Sequence, residues 1–406
     1  MSSQTLRTVN PTTVVVAGCL ISLIGYGVRG DFGLFLQPIQ ETRGWSRETF
    51  ALALAVQNLL WGLGQPFAGA IADRFGSARV LIAGSLLYAA GVAGSSLMVT
   101  PLGFNLVMGV AVGFGLSGAS FMIVLGALTR LLPPEKRSWA LGLGTAAGSL
   151  GQFLFAPLGQ GFLAAYGWQT ALVLLGGSAL AIVPLALALR GRGDDAAATV
   201  KPQSLTEALR EAGGVRSYWL LIGGFFVCGF HVAFIQTHMP AYIADIGLPP
   251  SIGAWAIGLV GLFNVIGAYG AGVLAGKRSR KRILSGIYLG RAIVIAIFVL
   301  TPPSTASVLL FSAAMGILWL STVPPTSGLV ALIFGPRYMT TLFGIVFFSH
   351  QVGAFLGVWL GGRIFDATGS YTLVWWISVA LGVFAAAVHW PIVEQRVPRL
   401  AAAPAE

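Results

Sequence analysis

Long apolar runs alternate with short polar turns from one end of this chain to the other. A helix needs about 20 apolar residues to cross a bilayer, because hydrocarbon cannot satisfy bare backbone groups. Runs of that length fall at 12–39, 49–72, 79–98, 101–131, 138–165, 168–189, 217–244, 251–275, 283–302, 305–334, 339–364 and 371–393. Glycine and alanine are frequent within them, as expected where helices pack backbone to backbone. The longest polar stretch, 190–216, follows the sixth run. Inside it, Ser204-Leu-Thr-Glu207 predicts a capping box that opens a short amphipathic helix. The pattern therefore predicts an all-α membrane protein with twelve transmembrane helices. They divide into two pseudo-symmetric six-helix halves, 1–189 and 217–394, joined by a cytoplasmic linker over 190–216 and followed by a tail over 395–406.

A repeated turn supports the two halves. Gly69-Ala-Ile-Ala-Asp73-Arg74-Phe-Gly76-Ser-Ala-Arg79-Val-Leu81 returns without a gap 203 residues later as Gly272-Val-Leu-Ala-Gly276-Lys277-Arg278-Ser-Arg280-Lys281-Arg282-Ile-Leu284. Each copy joins the second and third spans of its half. The turn before the fifth span, Leu-Pro-Pro-Glu135-Lys136-Arg137, has a counterpart in Phe-Gly-Pro-Arg337, and both lead into glycine-rich runs. Internal repeats of this kind place a substrate near the midplane between two halves that rock against each other.

Composition and charge sharpen the picture. The chain is 56% hydrophobic and 9% charged, with a mean hydropathy of +0.83, against about 25% charged for a soluble domain. The net charge of +11 raises the question of nucleic acid, but the basic residues lie in alternate turns. With the N-terminus in the cytoplasm, nineteen of the 24 fall in cytoplasmic segments; Arg43, Arg47 and Arg363 lie outside, and Arg29 and Arg291 fall within spans. The bias places both termini inside and accounts for the charge without a nucleic-acid partner. Cys19 and Cys228 lie within apolar runs, so neither a disulfide framework nor a metal centre is expected. No nucleophile–base set or phosphate-cradling loop points to an enzyme, and no cofactor is implied.

The first copy of the turn resembles the G-x-x-x-D-R-x-G-R-R/K motif of the major facilitator superfamily, with Gly69, Asp73, Arg74, Gly76 and Arg79 matching and Ala78 departing. The resemblance covers nearly the whole chain and implies that these residues form a conformational latch. The second copy has Gly276 where the acid would stand. Within the superfamily, LFLQPIQETRGWSRETFALALAVQNLLWGLGQP and Gly167-Trp168 resemble the monocarboxylate and oxalate–formate branches. The Asp/Arg pair that animal monocarboxylate transporters carry in helix 8 is absent, since Asn264 and Ala268 occupy the best-fitting positions.

Charge at bilayer depth costs at least about 2.5–3.5 kcal/mol and marks a candidate site. Arg29 and Asp31 lie in Gly25-Tyr26-Gly27-Val28-Arg29-Gly30-Asp31-Phe32-Gly33, where the glycines leave room for a ligand or a bend. Arg29 would clamp a carboxylate and Asp31 would bias its charge or carry a proton, with structural pairing to neighbouring helices near the outer interface as the plainer alternative for both. Span 7 carries His231, Gln236 and His238; the histidines, seven apart, share a face and suit proton coupling. A histidine satisfied by a neighbouring carbonyl is the plainer alternative for each. Asn264, His350 and Arg291 complete the substrate candidates, with Gln57 and Asn58 as further hydrogen-bonders and Tyr26, Phe32 and Trp61 on the apolar side.

These observations point to a secondary transporter of a small, monocarboxylate-like organic anion, coupled to protons, in a bacterial cytoplasmic membrane. Two rivals remain at this stage. One is a drug–proton efflux carrier, although Gln152-Phe-Leu-Phe-Ala156-Pro157-Leu-Gly159-Gln160 keeps only part of the glycine pattern common in that group. The other is a membrane sensor that binds a ligand without moving it.

Overall fold

The computed structural model describes residues 10–190, 204–335 and 338–401. Arg7, Arg192, Lys201 and Arg337 of the charge pattern, and residues 191–203 of the 190–216 connection, lie outside the described residues. Ten stretches are long and apolar enough to span a membrane. One of them, Gly142–Leu189, runs for 48 residues and is two spans, because Gly167 turns the chain at φ 75° and ψ 169°. Gly167 has no Cβ to oppose that backbone. A 29-residue helix, Arg47–Phe75, brings the count to twelve.

We label the spans α1 (Pro11–Arg43), α2 (Arg47–Phe75), α3 (Ser77–Ser95), α4 (Pro101–Leu131), α5 (134–166), α6 (168–189), α7 (Arg216–Asp245), α8 (Pro250–Lys277), α9 (Arg280–Leu300), α10 (Thr305–Phe334), α11 (Met339–Thr368) and α12 (Thr372–His389). The expected capping box forms: Ser204 Oγ accepts from Glu207 N–H at 3.2 Å and Glu207 accepts from Ser204 N–H at 2.7 Å, opening a short helix over Leu205–Gly213.

Packing follows the repeat. α1 packs on α5 as α7 packs on α11; α2 on α4 as α8 on α10; α3 on α6 as α9 on α12. The halves meet through α2 with α11 and, in mirrored fashion, α8 with α5. Small residues make these contacts possible. Gly64 lies against Phe114 and Ser117 of α4, and Gly267, 203 residues on, lies against Ile317 and Ser321 of α10. Gly151 meets the Leu23 carbonyl, and Gly353 meets that of Phe226, again 203 residues from Leu23. Helices α4 and α10 break at matching places, around Ala119–Ser120 and Trp319–Thr322.

The outward surface carries large apolar side chains, among them Phe67, Leu87, Leu106, Ile266, Ile297 and Leu310. In water such a surface would drive aggregation; against lipid tails it costs nothing. The chain is an integral membrane protein.

Candidate functional site

Arg29 sits near the middle of α1, in the last turn of its first helical segment, Pro11–Gly30. Beyond it the chain tightens into a 3-10 turn, Asp31–Phe35, before continuing to Arg43. All five residues of the turn are buried. The glycines around it serve a different purpose from the ligand space expected of them. A Cβ on Gly27 would run into Phe155, and one on Gly33 would run into the Gln236 and Thr237 carbonyls of α7. They let α5 and α7 approach α1 closely.

The Arg29 guanidinium donates to Asn58 Oδ1 at 2.9 Å and Gln236 Oε1 at 3.3 Å, and lies 4.8 Å over the Trp61 ring. Its partners are thus two neutral amide oxygens and a π face, drawn from both halves. Its Nε is buried with no partner among the described residues. Two cavities of about 20 Å³ flank it, each with room for roughly one water. One is lined by Gln57, Asn58, Gln236 and Thr237, the other by Tyr26, Trp61, Ser22 and Ser120. Trp61 meets Phe347 edge-on at 5.6 Å, and Phe347 stacks on His350 at 5.6 Å. Arg29, Tyr26 and Gln236 therefore come together, and His350 joins through two aromatic rings.

Asp31 is completely buried, and neither of its carboxyl oxygens has a hydrogen-bond partner among the described residues. It presses against Gly159 of α5, where any Cβ would collide with the carboxyl. An ionised carboxylate left in that way costs several kcal/mol, and a neutral acid much less.

The other candidates lie elsewhere. His231 Nε2 donates to the Ser378 carbonyl at 2.8 Å, within the second half. His238 uses both ring nitrogens: Nε2 donates to Val358 O at 2.8 Å and Nδ1 accepts from the Tyr371 hydroxyl at 3.0 Å. Asn264 donates to Ser149 Oγ at 2.9 Å and accepts from Leu320 N–H at 2.9 Å, bridging α8 to α5 and to the break in α10. Arg291 is fully buried on α9 and directs its guanidinium at the carbonyls of Leu318 and Trp319, with Cys228 Sγ at 3.5 Å. It caps the carbonyls freed by the α10 break, as a cation at a helix C-terminus should. It does not reach the Arg29 cavities.

In the Gly69–Leu81 turn, Asp73 accepts from Arg130 of α4, which also donates to Ser77. Gly76 takes φ 94°, a backbone that an L side chain rarely adopts. Nothing lies within 4 Å of the Cβ position of Gly69, Arg74 rests on Phe75, and Arg79 is exposed. The second copy is built differently. Ser279 stands where Gly76 does, with φ −58°, and caps α9. Glu394, beyond α12, accepts from Ser279 Oγ at 2.8 Å and Lys281 N–H at 2.6 Å, bringing to that turn an acid that position 276 lacks.

At the opposite end of the bundle lies a set of ion pairs absent from the candidates drawn from sequence. Arg47 donates to both carboxylate oxygens of Asp245 at 2.6 Å and to the Tyr371 hydroxyl at 3.0 Å. The backbone N–H groups of Arg47 and Glu48 donate to Asp366 at 3.1 and 2.7 Å. Glu48 in turn accepts from Trp359 at 3.0 Å and Arg363 at 3.1 Å. These contacts tie the start of α2 to α7, α11 and the start of α12, across the two halves.

Known proteins match this arrangement. The family model described as Major Facilitator Superfamily covers residues 15–358. Monocarboxylate transporter 13 of Rattus norvegicus is 26% identical over 376 residues, covering 88% of this chain and 83% of its own. A probable sulfoacetate transporter of Cupriavidus necator is 26% identical over 392 residues, with 89% of each chain covered. Among solved structures, a bacterial homologue of the human lysosomal transporter Spinster, inward-facing and unoccupied, superposes with a TM-score of 0.75 at 16% identity, covering 93% of this chain and 96% of that one. With the twelve-span fold, the paired halves and the family model over most of its length, the chain belongs to the major facilitator superfamily of membrane transporters.

Proposed function

We propose that this transporter carries a small monocarboxylate-like organic anion together with a proton, by rocking its two halves around a site at Arg29. The observation that carries the reading is the Arg29 guanidinium, bonded to amide oxygens of Asn58 and Gln236 with no acid among its described partners. A cation held this way within a span favours an anion that can accept from it, and a carboxylate does so bidentately. The relatives point the same way, since one is named for monocarboxylates and another for sulfoacetate. Gln236 and Asn58 would orient the anion, and Tyr26 and Trp61 would pack its apolar part.

Asp31 is the proposed proton carrier. Buried without a donor, it is cheapest to hold in neutral form, so loading and releasing its proton couples to exposure of the site. His238 is a weaker carrier on this reading, because Val358 O and the Tyr371 hydroxyl occupy both its ring nitrogens; His231 is held by the Ser378 carbonyl through Nε2 alone and sits within the second half, away from Arg29.

On this reading the Asp73 end lies in the cytoplasm with both termini, an orientation that the basic turns support, and the membrane is a bacterial inner membrane. The Arg47–Asp245 end is then the outer face, closed in this conformation, and the Asp73–Arg130 latch works at the inner face. Uptake of radiolabelled short monocarboxylates into proteoliposomes, driven by an inward proton gradient, tests the proposal. Flux with the gradient and none without it supports both substrate class and coupling; no flux for any carboxylate refutes the first.

A further inference from the structure

A second cavity, far larger than those at Arg29, lies between α1, α5 and α8 at the Asp73 end. Its volume is about 870 Å³, within the range of about 300–1,000 Å³ typical of small-molecule sites. Val15 and Cys19 of α1, Leu143 and Leu150 of α5, and Leu262 and Ile266 of α8 line it, so its bore is almost wholly apolar. It opens sideways: Ile266 is 60% exposed and Trp139, at the rim, 62% exposed. Lys136 is the single charged side chain among the described lining residues, and it too stands at one end of the groove.

We infer that this groove holds an acyl chain of an anionic bilayer phospholipid, with its phosphate against Lys136. An apolar bore open to the lipid side takes a hydrocarbon chain with no loss of polar hydration. An ammonium at the rim, on a long stem that follows apolar surface, selects a negative headgroup over a zwitterionic one. Free aqueous anions have nothing to bind in the bore, so the occupant is amphiphilic. Asn264 and Ser149 join α8 to α5 at mid-span, and from there toward the Asp73 end the groove lies between the two helices, so an occupied groove opposes their approach at that end. The bound lipid thereby favours the conformation in which the Arg47 end is closed.

The chain supplies its own reporter. Cys19 lines the groove and is partly exposed, whereas Cys228 is fully buried and serves as an internal control. The full-length protein is placed in nanodiscs of phosphatidylcholine or phosphatidylglycerol, and alkylation of Cys19 by N-ethylmaleimide is followed by peptide mass. Alkylation is expected to be about tenfold slower in phosphatidylglycerol, as for a site about nine-tenths occupied. In Lys136→Glu, a change at an exposed position, the two lipids give equal rates. Equal rates in the wild-type protein overturn the proposal, as does a lipid difference that survives in Lys136→Glu. Should Cys19 stay unreactive in both lipids, native mass spectrometry from mixed-lipid discs decides. Phosphatidylglycerol retained by wild type and lost in Lys136→Glu upholds the site, and equal retention refutes it.

Discussion

Arg47 and Asp245, 198 residues apart, form a two-pronged ion pair at 2.6 Å that joins the first turn of α2 to the last turn of α7. Arg47 is 5% exposed, and its guanidinium also lies 3.6 Å from the centre of the Phe365 ring. The Tyr371 hydroxyl bonds both Arg47 and His238, so a continuous polar chain runs from Asp245 through Arg47 and Tyr371 to His238 and the Val358 carbonyl. Three helices of the second half are held to one residue of the first.

Breaking this pair should release the Arg47 end. Asp245→Asn keeps the shape and removes the charge, leaving a buried guanidinium short of its partner at a cost of about 1–3 kcal/mol to the closed state. Distances between spin labels placed across that end should lengthen and broaden, by a population shift of roughly ten- to hundredfold. Unchanged distance distributions would show that other contacts, such as those of Asp366, hold the end shut without it.

Asp31→Asn should leave folding intact, because the carboxyl has no described hydrogen-bond partner to lose. Proton-driven uptake should fall to the level seen without a gradient, while exchange of labelled for unlabelled substrate continues. Gradient-driven uptake at wild-type rates would remove Asp31 from the coupling mechanism.

Two glycines on the first two spans should respond oppositely. Gly33→Ala forces a methyl into the backbone of Gln236 and Thr237, which overpacking data put at about 1–3 kcal/mol, and it pushes away the helix that carries Gln236. Gly69→Ala meets nothing within 4 Å. Thermal unfolding in detergent should therefore drop for the first and hold for the second. A loss of transport in Gly69→Ala with unchanged stability would mean that the motif glycine is needed in another conformation.

The capping box at Ser204 carries a pH dependence. The Glu207 carboxylate accepts the Ser204 N–H, and this holds its pKa below the usual carboxylate range. A lowered folded-state pKa contributes stability above the unfolded value, and that contribution is lost as pH falls through the folded value. Protection factors of the Leu205–Gly213 amides, each taken against the intrinsic exchange rate at the same pH, should fall on acidification into that window, and Glu207→Gln should flatten the dependence. The same acid dependence in the variant would assign it to another group.

Much of this was legible in the chain because lipid imposes it. Spans of fixed length, basic residues in alternate turns and a turn repeated 203 residues on all follow from local pattern. The candidate site was partly legible: Arg29 and Asp31 were marked by charge in an apolar run, and Gln236 by its place on the repeat partner of α1. Distant pairings were not. Nothing in the sequence couples Arg47 to Asp245, or brings Glu394 to the Ser279 turn, since these contacts depend on how helices end rather than on what they contain. The charge of Arg291 left a substrate role and a structural partner equally open in the sequence, and the break in α10 gives it carbonyls to cap. The glycines beside Arg29 read as room for a ligand or a bend; the chain does tighten at Asp31–Phe35, and Gly27 and Gly33 make room for neighbouring helices.

The central claim is that Arg29 supplies the counter-charge to a transported carboxylate, and ligand-dependent flux in an Arg29 variant tests it most directly. Arg29→Ala and wild type are reconstituted side by side, checked for equal thermal unfolding without ligand, and assayed for uptake of labelled monocarboxylates. Removing one partner of a desolvated charge pair costs about 2–5 kcal/mol, so uptake should fall roughly 30-fold or more. The stabilisation of wild type by added carboxylate should vanish as well. Wild-type uptake by a well-folded Arg29→Ala protein would contradict the account.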